Sequence, residues 1–295
     1  MLKLRAYAKI NLGLRILGER DDGYHDLETV FHRIDLFDEL ELEPSDGISM
    51  QCVPEGLPTD ERNLCVRAAL LLRECLRGED GVKILLRKNI PAGAGLGGGS
   101  SDAAATLLGL VRLWRADIPF RQILGLALKL GSDVPYFLRE GSACATGRGE
   151  ILEYIHLEVP YWIVVVYPGI PVSTAWAYKH LKSASVPAAP AGVVPRASLG
   201  DAVRRDMHEL RNLNGHLKND FEPLVFGAHE RVERARRALH EAGAGAVHLS
   251  GSGSALYGLF TGEEEARAAA AILERDSFVS VTPAHFEPSF QPVEL

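Results

Sequence analysis

The chain has 295 residues, of which 46% are hydrophobic and 24% charged, and its formal net charge is −7. That length suits about two domains of roughly 150 residues each, and the composition excludes a disordered, coiled-coil or collagen-like chain. The acidic balance lacks the broad basic field by which proteins hold nucleic acid, so no nucleic-acid partner is expected.

At the start of the chain Leu2, Leu4, Ala6, Ala8, Ile10, Leu12, Leu14 and Ile16 share one parity, while Lys3, Arg5, Tyr7, Lys9, Asn11 and Arg15 share the other. Period two predicts a half-buried strand or strand pair, with Lys9 and Asn11 neighbours on its polar face. A turn is expected over 18–23, and further strand over 29–43, interrupted by Asp35 and Asp38. Val66, Ala69, Leu70 and Leu72 fit a helical stripe, which predicts a helix over 63–76. A short strand over 82–86 runs into a glycine-rich loop. Beyond it a helix is expected from Ser100 or Ser101 to about Trp114, with serine and Asp102 supplying the N-cap chemistry. A second helix is predicted over 120–130, ended by Gly131.

After about residue 155 the composition resets. A strand is predicted over 161–167, and an Ala/Pro/Val-rich surface loop or linker over 183–200. A helix over 229–241 ends at Gly243. Strands over 246–249 and 256–260 flank Gly251-Ser252-Gly253-Ser254, and a helix over 263–275 leads to a closing strand over 278–286. Strands and helices mixed in this way predict an α+β protein, divided into domains 1–155 and 156–295.

Cys52, Cys65, Cys75 and Cys144 form no Cys-x-x-Cys pair, so four reduced thiols in a cytoplasmic protein are expected. The histidines offer no zinc spacing, and no metal ligand is assigned. No apolar run approaches 18 residues, so no membrane association is expected, and Lys3, Arg5, Lys9 and Arg15 break any apolar leader core.

Five of the seven residues from Gly93 to Gly99 are glycine. A loop so free of side chains brings several backbone N–H groups to one anion, and the positive end of the following helix reinforces them. The cradle predicted for phosphate comprises Pro91, Ala92, Gly93, Ala94, Gly95, Leu96, Gly97, Gly98, Gly99, Ser100 and Ser101. A Walker A loop needs a lysine before the helix, and this loop has none. The spacing Gly93-x-Gly95-x-x-Gly98 also fits a dinucleotide fingerprint. The acid-ended second strand that reading requires is missing, because Asp117 leads into Ile118-Pro119-Phe120 and a helix.

Phosphoryl transfer from ATP needs a phosphate cradle, a cation against developing charge and a carboxylate for the acceptor hydroxyl. Lys9 offers the cation and Asp133 the carboxylate. Each has a plainer reading, Lys9 as a solvated strand lysine and Asp133 as the N-cap of an apolar turn.

Pro91-x3-Gly95-Leu96-Gly97-Gly98-Gly99-Ser100-Ser101-Asp102 closely resembles the ATP loop of the GHMP kinases, named for galactokinase, homoserine kinase, mevalonate kinase and phosphomevalonate kinase. Ala8-Lys9-Ile10-Asn11-Leu12, Gly23-Tyr24-His25-Asp26-Leu27, Gly131-Ser132-Asp133-Val134-Pro135 and Leu249-Ser250-Gly251-Ser252-Gly253-Ser254 extend the resemblance from residue 6 to about 260. They are similar to a branch of that family serving the non-mevalonate isoprenoid route. Its small-molecule acceptor is a cytidine diphosphate derivative of a branched sugar alcohol, phosphorylated on the 2-hydroxyl. The resemblance implies a two-domain fold, the N-terminal part like domain 2 of ribosomal protein S5, the C-terminal part ferredoxin-like, with the cleft between. It implies ATP as phosphoryl donor, accompanied by Mg2+, with Lys9 and Asp133 catalytic and Asn63 and Lys88 near the adenine. It places Asn11, Tyr24, His25, Thr174, Tyr178, Ser252 and Gly253 against the acceptor, Tyr24 and Tyr178 stacking on cytosine and His25 hydrogen-bonding the base edge. Asp102 stands where the family commonly has asparagine. The alternatives are a homoserine- or mevalonate-type GHMP kinase, a dinucleotide-dependent oxidoreductase, and an RNA-binding module built on the S5-like half.

Overall fold

The computed structural model describes residues 1–181 and 198–288. Strands β1 (Leu2–Glu19) and β2 (His25–Ser45) form a long antiparallel hairpin, in register from Leu2 opposite Leu42 to Glu19 opposite His25. Three register shifts interrupt it, after Tyr7, Asn11 and Ile16. Such irregularities raise local twist and re-aim side chains, and two of them bracket the segment that carries Lys9 and Asn11.

β3 (Ile48–Val53) and β4 (Gly81–Arg87) are parallel neighbours joined through α1 (Leu64–Leu76), and β4 pairs with the C-terminal half of β2. The glycine loop leads into α2 (Gly98–Leu113), which is followed by α3 (Phe120–Leu130) and a 3-10 turn at Val134–Leu138. β5 (Ser142–Thr146) pairs with Thr29–Phe31 of β2, and β6 (Ile151–Ile155) pairs with β5. These six strands form one sheet, and Leu72, Leu107 and Leu110 from the helices pack onto Leu40, Leu42, Ile84 and Leu86. Fully burying such a leucine or isoleucine stabilises the fold by roughly 1.5–3 kcal/mol.

The second sheet contains β7 (Trp162–Tyr167), β8 (Ala246–Leu249), β9 (Leu256–Phe260) and β10 (Phe278–Thr282) in the order β10-β7-β9-β8, all antiparallel. Numbered from β7, this order is 4-1-3-2, that of a ferredoxin-like sheet. Between β7 and β8 run α4 (Thr174–His180), α5 (Leu199–Asp206), α6 (Leu210–His216), α7 (Glu222–Ala228) and α8 (Glu230–Glu241); α9 (Glu263–Leu273) follows β9. β7 is apolar on both faces for a reason visible in the packing. Val164 and Val166 meet Val232 and Leu239 of α8, whereas Ile163 and Val165 share a core with Ile10 and Leu12 of β1.

That shared core corrects the half-buried reading of β1, which is buried on both faces from Ala6 to Leu14. Lys9 and Asn11 keep the polar parity, yet they are 3% and 2% exposed, Lys9 covered by the glycine loop and Asn11 by the segment at Gly251. The start of α2 is also corrected: its N-cap is Gly97, in the left-handed region at φ 71°, and no side chain caps it. Asp102 therefore lies in the second turn and is no cap. β10 ends at Thr282, short of residue 286, and α9 ends at Leu273. The loop expected over 183–200 lies outside the described residues as far as 197, and Ser198 then caps α5.

Candidate active site

The Lys9 amide donates to the Leu96 carbonyl (3.0 Å), which lays the glycine loop along β1. Gly97 has no room for a side chain: a Cβ there would stand 3.0 Å from Phe137 Cζ and 3.1 Å from Lys9 Cε. Gly95, at φ 83°, is more constrained, because a Cβ would collide with the Ser250 carbonyl. The second sheet's Gly-Ser segment clamps the loop from above. Ser250 Oγ donates to the Gly95 carbonyl (3.0 Å), and the Ala255 amide to the Ala94 carbonyl (2.9 Å). The first intrahelical bond at this end of α2 is made by the Ser101 amide to the Gly97 carbonyl. The amides of Gly98, Gly99 and Ser100 precede it and supply the donors of a helix N-terminus.

Lys9 is held from three sides. Its ammonium donates to Asn11 Oδ1 (2.6 Å) and the Gly95 carbonyl (3.3 Å), and lies 3.7 Å from Asp133 Oδ2. Burial lowers its pKa from the ordinary lysine value, against the raising effect of the Asp133 carboxylate. Asn11 is fixed in turn: its Nδ2 donates to Thr29 Oγ1 (2.9 Å), and that hydroxyl donates to the Gly13 carbonyl (2.6 Å). Asn11 therefore orients Lys9 with its carbonyl, and one of its two N–H donors is already engaged. Asp133 occupies the N-cap position of the 3-10 turn but makes no capping bond. Its half-buried carboxylate faces Lys9 instead.

Lys88 is likewise engaged. It donates to Asp102 Oδ2 (2.8 Å) and to Asp38, whose other oxygen accepts from the amides of Asn89 (2.6 Å) and Ile90 (2.8 Å). Burial, with the Asp38 charge and against that of Lys88, pushes Asp102 up to about 8. Burial also works against the Lys88 ammonium, but the two carboxylates outweigh it and raise its pKa. Asn63 caps α1, its Oδ1 accepting from the Cys65 amide (3.0 Å) while Nδ2 donates to the Pro58 carbonyl (2.9 Å).

A cavity of about 1080 Å³ joins these groups to an aromatic end. There the His25 and Tyr178 rings lie 4.9 Å apart, Tyr178 meets Phe221 edge-on at 5.0 Å, and Arg148 covers the exposed Tyr24 ring at 4.7 Å. Burial pushes the Tyr178 phenol up to about 12, so it stays protonated. Thr174 and Ser252 are joined hydroxyl to hydroxyl at 3.0 Å.

Most residues singled out from the sequence line this one space: Lys9, Asn11, Tyr24, His25, Asn63, Lys88, the loop from Pro91 to Ser100, Asp133, Thr174, Tyr178 and Ser252. Ser101 and Gly253 do not. Ser101 is buried behind the loop, and Gly253 packs beneath Gly95. Sequence reasoning missed Thr29, Ser250, Arg148 and the Asp38–Lys88–Asp102 cluster. Arg148 had a signal, its place between Gly147 and Gly149, both at positive φ. Among the described residues no group of three or more His, Cys, Asp or Glu side chains is placed to hold a metal, and no helix is long and apolar enough to cross a membrane.

Residues 63–141 match the family described as GHMP kinases N terminal domain, and residues 198–279 match GHMP kinases C terminal. The chain belongs to the GHMP kinases. It is 47% identical over 286 residues to a 4-diphosphocytidyl-2-C-methyl-D-erythritol kinase of Chlorobaculum tepidum, with 96% of this chain and 97% of that one covered. A crystal structure of 4-(cytidine 5'-diphospho)-2C-methyl-D-erythritol kinase matches at 37% identity and a TM-score of 0.80, over 95% of this chain and 98% of that chain. Homoserine kinase from Cytophaga hutchinsonii, at 19% identity and a TM-score of 0.68 over 94% of each chain, shares the fold. A GHMP kinase of this type uses ATP as its phosphoryl donor. The dinucleotide reading of the glycine loop falls with that membership.

Proposed function

We propose that this GHMP kinase transfers the γ-phosphoryl group of ATP to the 2-hydroxyl of 4-diphosphocytidyl-2-C-methyl-D-erythritol, releasing ADP and the 2-phosphate. One observation carries the mechanism: Lys9 and Asp133, 3.7 Å apart, sit where the glycine loop and the aromatic end of a single cavity meet. The loop amides and the α2 N-terminus receive the triphosphate, with the adenine toward Asn63 and Lys88. Tyr24, His25 and Tyr178 receive the cytosine, and Thr174 and Ser252 close the wall beside it. The acceptor hydroxyl attacks the γ-phosphorus as the bond to the β-phosphate oxygen breaks, and Asp133 takes the hydroxyl proton. Lys9, 3.7 Å from that carboxylate, orients it and faces the charge that develops on the transferring oxygens. General-base action of this kind is worth roughly 10²–10⁴ in rate.

Mg2+ belongs with the nucleotide in this reading. It prefers one or two protein oxygens plus phosphates and water to an all-protein cage. The cavity wall offers the Ser100 hydroxyl near the helix N-terminus, a donor set that fits an ion carried in by the phosphates. When bound, the ion neutralises phosphate charge.

The test is label transfer from γ-labelled ATP to the cytidine substrate, with CDP and CMP as competitors. Labelled 2-phosphate and competitive inhibition by CDP are expected. Absence of transfer, with turnover indifferent to CDP, would return the chain to the homoserine or mevalonate type.

A further inference from the structure

The cavity holds a cation that the mechanism above does not use. Arg148 sits in the turn between β5 and β6, flanked by Gly147 at φ 68° and Gly149 at φ 101°. The turn is pinned to the hairpin by the Leu27 amide, which donates to the Gly147 carbonyl (2.7 Å). Glu150 pins it locally: its Oε2 accepts from the Arg148 amide (2.6 Å), and its Oε1 stands 3.6 Å from Arg148 Nε. Glu150 thus occupies the Nε edge of the guanidinium. The two Nη groups have no hydrogen-bond partner among the described residues, and the guanidinium lies 4.7 Å over the Tyr24 ring.

Its neighbours fix where along the cavity this charge falls. On one side is Tyr24, at the aromatic end. On the other, a Cβ on Gly149 would stand 3.8 Å from Asp133 Oδ1 and 3.7 Å from the Phe31 ring. The order along the wall is therefore aromatic ring, guanidinium, catalytic carboxylate. The order along the proposed acceptor is base, diphosphate, reacting hydroxyl. We infer that Arg148 is the side chain that receives the diphosphate bridge of the acceptor and so sets the register between its cytosine and its 2-hydroxyl.

Charge accounting narrows the choice to Lys179 and Arg148, the latter with Glu150 and Asp22 as its carboxylate neighbours. Of the other cations lining the cavity, Lys9 is buried on Asn11, Gly95 and Asp133, Lys88 lies between Asp38 and Asp102, and Arg62 is bound to Asp60. Lys179 also lines the cavity, exposed on α4, and offers a single ammonium where Arg148 offers a planar fork. A diphosphate carries about two negative charges, and a planar guanidinium with both Nη groups available matches its oxygens in two parallel bonds.

This inference rests on the substrate reading above, and the experiment separates the two. CDP and cytidine, which differ by the diphosphate alone, are titrated against the wild-type protein, Arg148→Gln and Arg148→Lys. The wild type is expected to bind CDP far more tightly than cytidine. Arg148→Gln should weaken CDP roughly tenfold to a hundredfold, the range for a lost charge-assisted hydrogen bond, and should leave cytidine within about twofold. Arg148→Lys should recover part of the loss. Equal losses for CDP and cytidine would make Arg148 a prop for Tyr24 and overturn the inference, as would unchanged CDP affinity in both variants. A wild type that binds neither compound would remove the substrate reading before any variant is compared.

Discussion

Replacing Asp102 by asparagine tests the buried charge arithmetic beside the glycine loop. Asp102 is 2% exposed, and it shares the Lys88 ammonium with Asp38, itself fully buried. With both carboxylates ionised the cluster carries net charge −1 in a setting that solvates charge poorly. Burial and the second carboxylate accordingly push Asp102 from 3.8 up to about 8. In the unfolded chain it titrates near 3.8, so between about pH 4 and pH 8 the folded protein binds one more proton than the unfolded one. The stability linked to that proton is complete below the unfolded pKa, declines as pH rises, and is gone above about 8. The slope is about 1.4 kcal/mol per pH unit, and the full span is worth roughly 6 kcal/mol as an upper bound, since relaxation around the charge reduces it.

The amide introduced by Asp102→Asn would still accept from Lys88 and would never ionise. The two proteins should therefore have similar stability near pH 4 to 5 and diverge as pH rises, with Asp102→Asn the more stable at pH 7 and above. Urea unfolding of both across pH 5 to 8.5 measures the gap, and titrating groups away from the Asp38–Lys88–Asp102 cluster cancel in the difference. Parallel pH profiles, or a variant less stable than the wild type at pH 8, would show that Asp102 is ionised in the fold and that the reasoning is wrong.

Asp133→Asn should lower turnover by roughly 10²–10⁴ while ATP affinity stays within a few-fold, read by steady-state kinetics beside a nucleotide titration. Gly95→Ala places a side chain at positive φ against the Ser250 carbonyl, and should cost at least about 1–3 kcal/mol in unfolding free energy as well as weakening ATP binding. Thr29→Val keeps the shape but removes the hydroxyl between Asn11 and Gly13. It should destabilise the fold by about 1–3 kcal/mol and lower kcat more than it raises either KM, with Thr29→Ser restoring both.

Local patterning carried much of the fold into view, because the elements of strongest periodicity answer to near-neighbour rules. α3, β8 and β9 fall where their apolar spacing and flanking glycines put them. β1 has the predicted alternation but the wrong environment, since a strand sequence does not announce a second sheet packing on one face and a loop on the other. The start of α2 escaped for a related reason. Ser100 and Ser101 look like caps, but the backbone turns helical earlier, where Gly97 adopts a left-handed conformation that glycine alone adopts cheaply. Asp102 was legible as a departure from the family, and its environment was not. Its partners Asp38 and Lys88 come from β2 and from the residue after β4, 50 positions apart in the chain.

The same limit applies at the reacting end, where one backbone atom ties distant segments together. The Gly95 carbonyl accepts from Lys9 Nζ at 3.3 Å and from Ser250 Oγ at 3.0 Å. The ammonium paired with Asp133 is thus positioned by a carbonyl that the second sheet's serine also holds. A change at Ser250, far from Lys9 in sequence, acts on the lysine through that shared acceptor. Gly95 consequently has two duties that point the same way. Its missing side chain lets the Ser250 segment close onto the loop, and its carbonyl then holds the lysine over the carboxylate. The glycine run therefore shapes the loop proposed to cradle phosphate and also sets where the Lys9 ammonium stands beside Asp133.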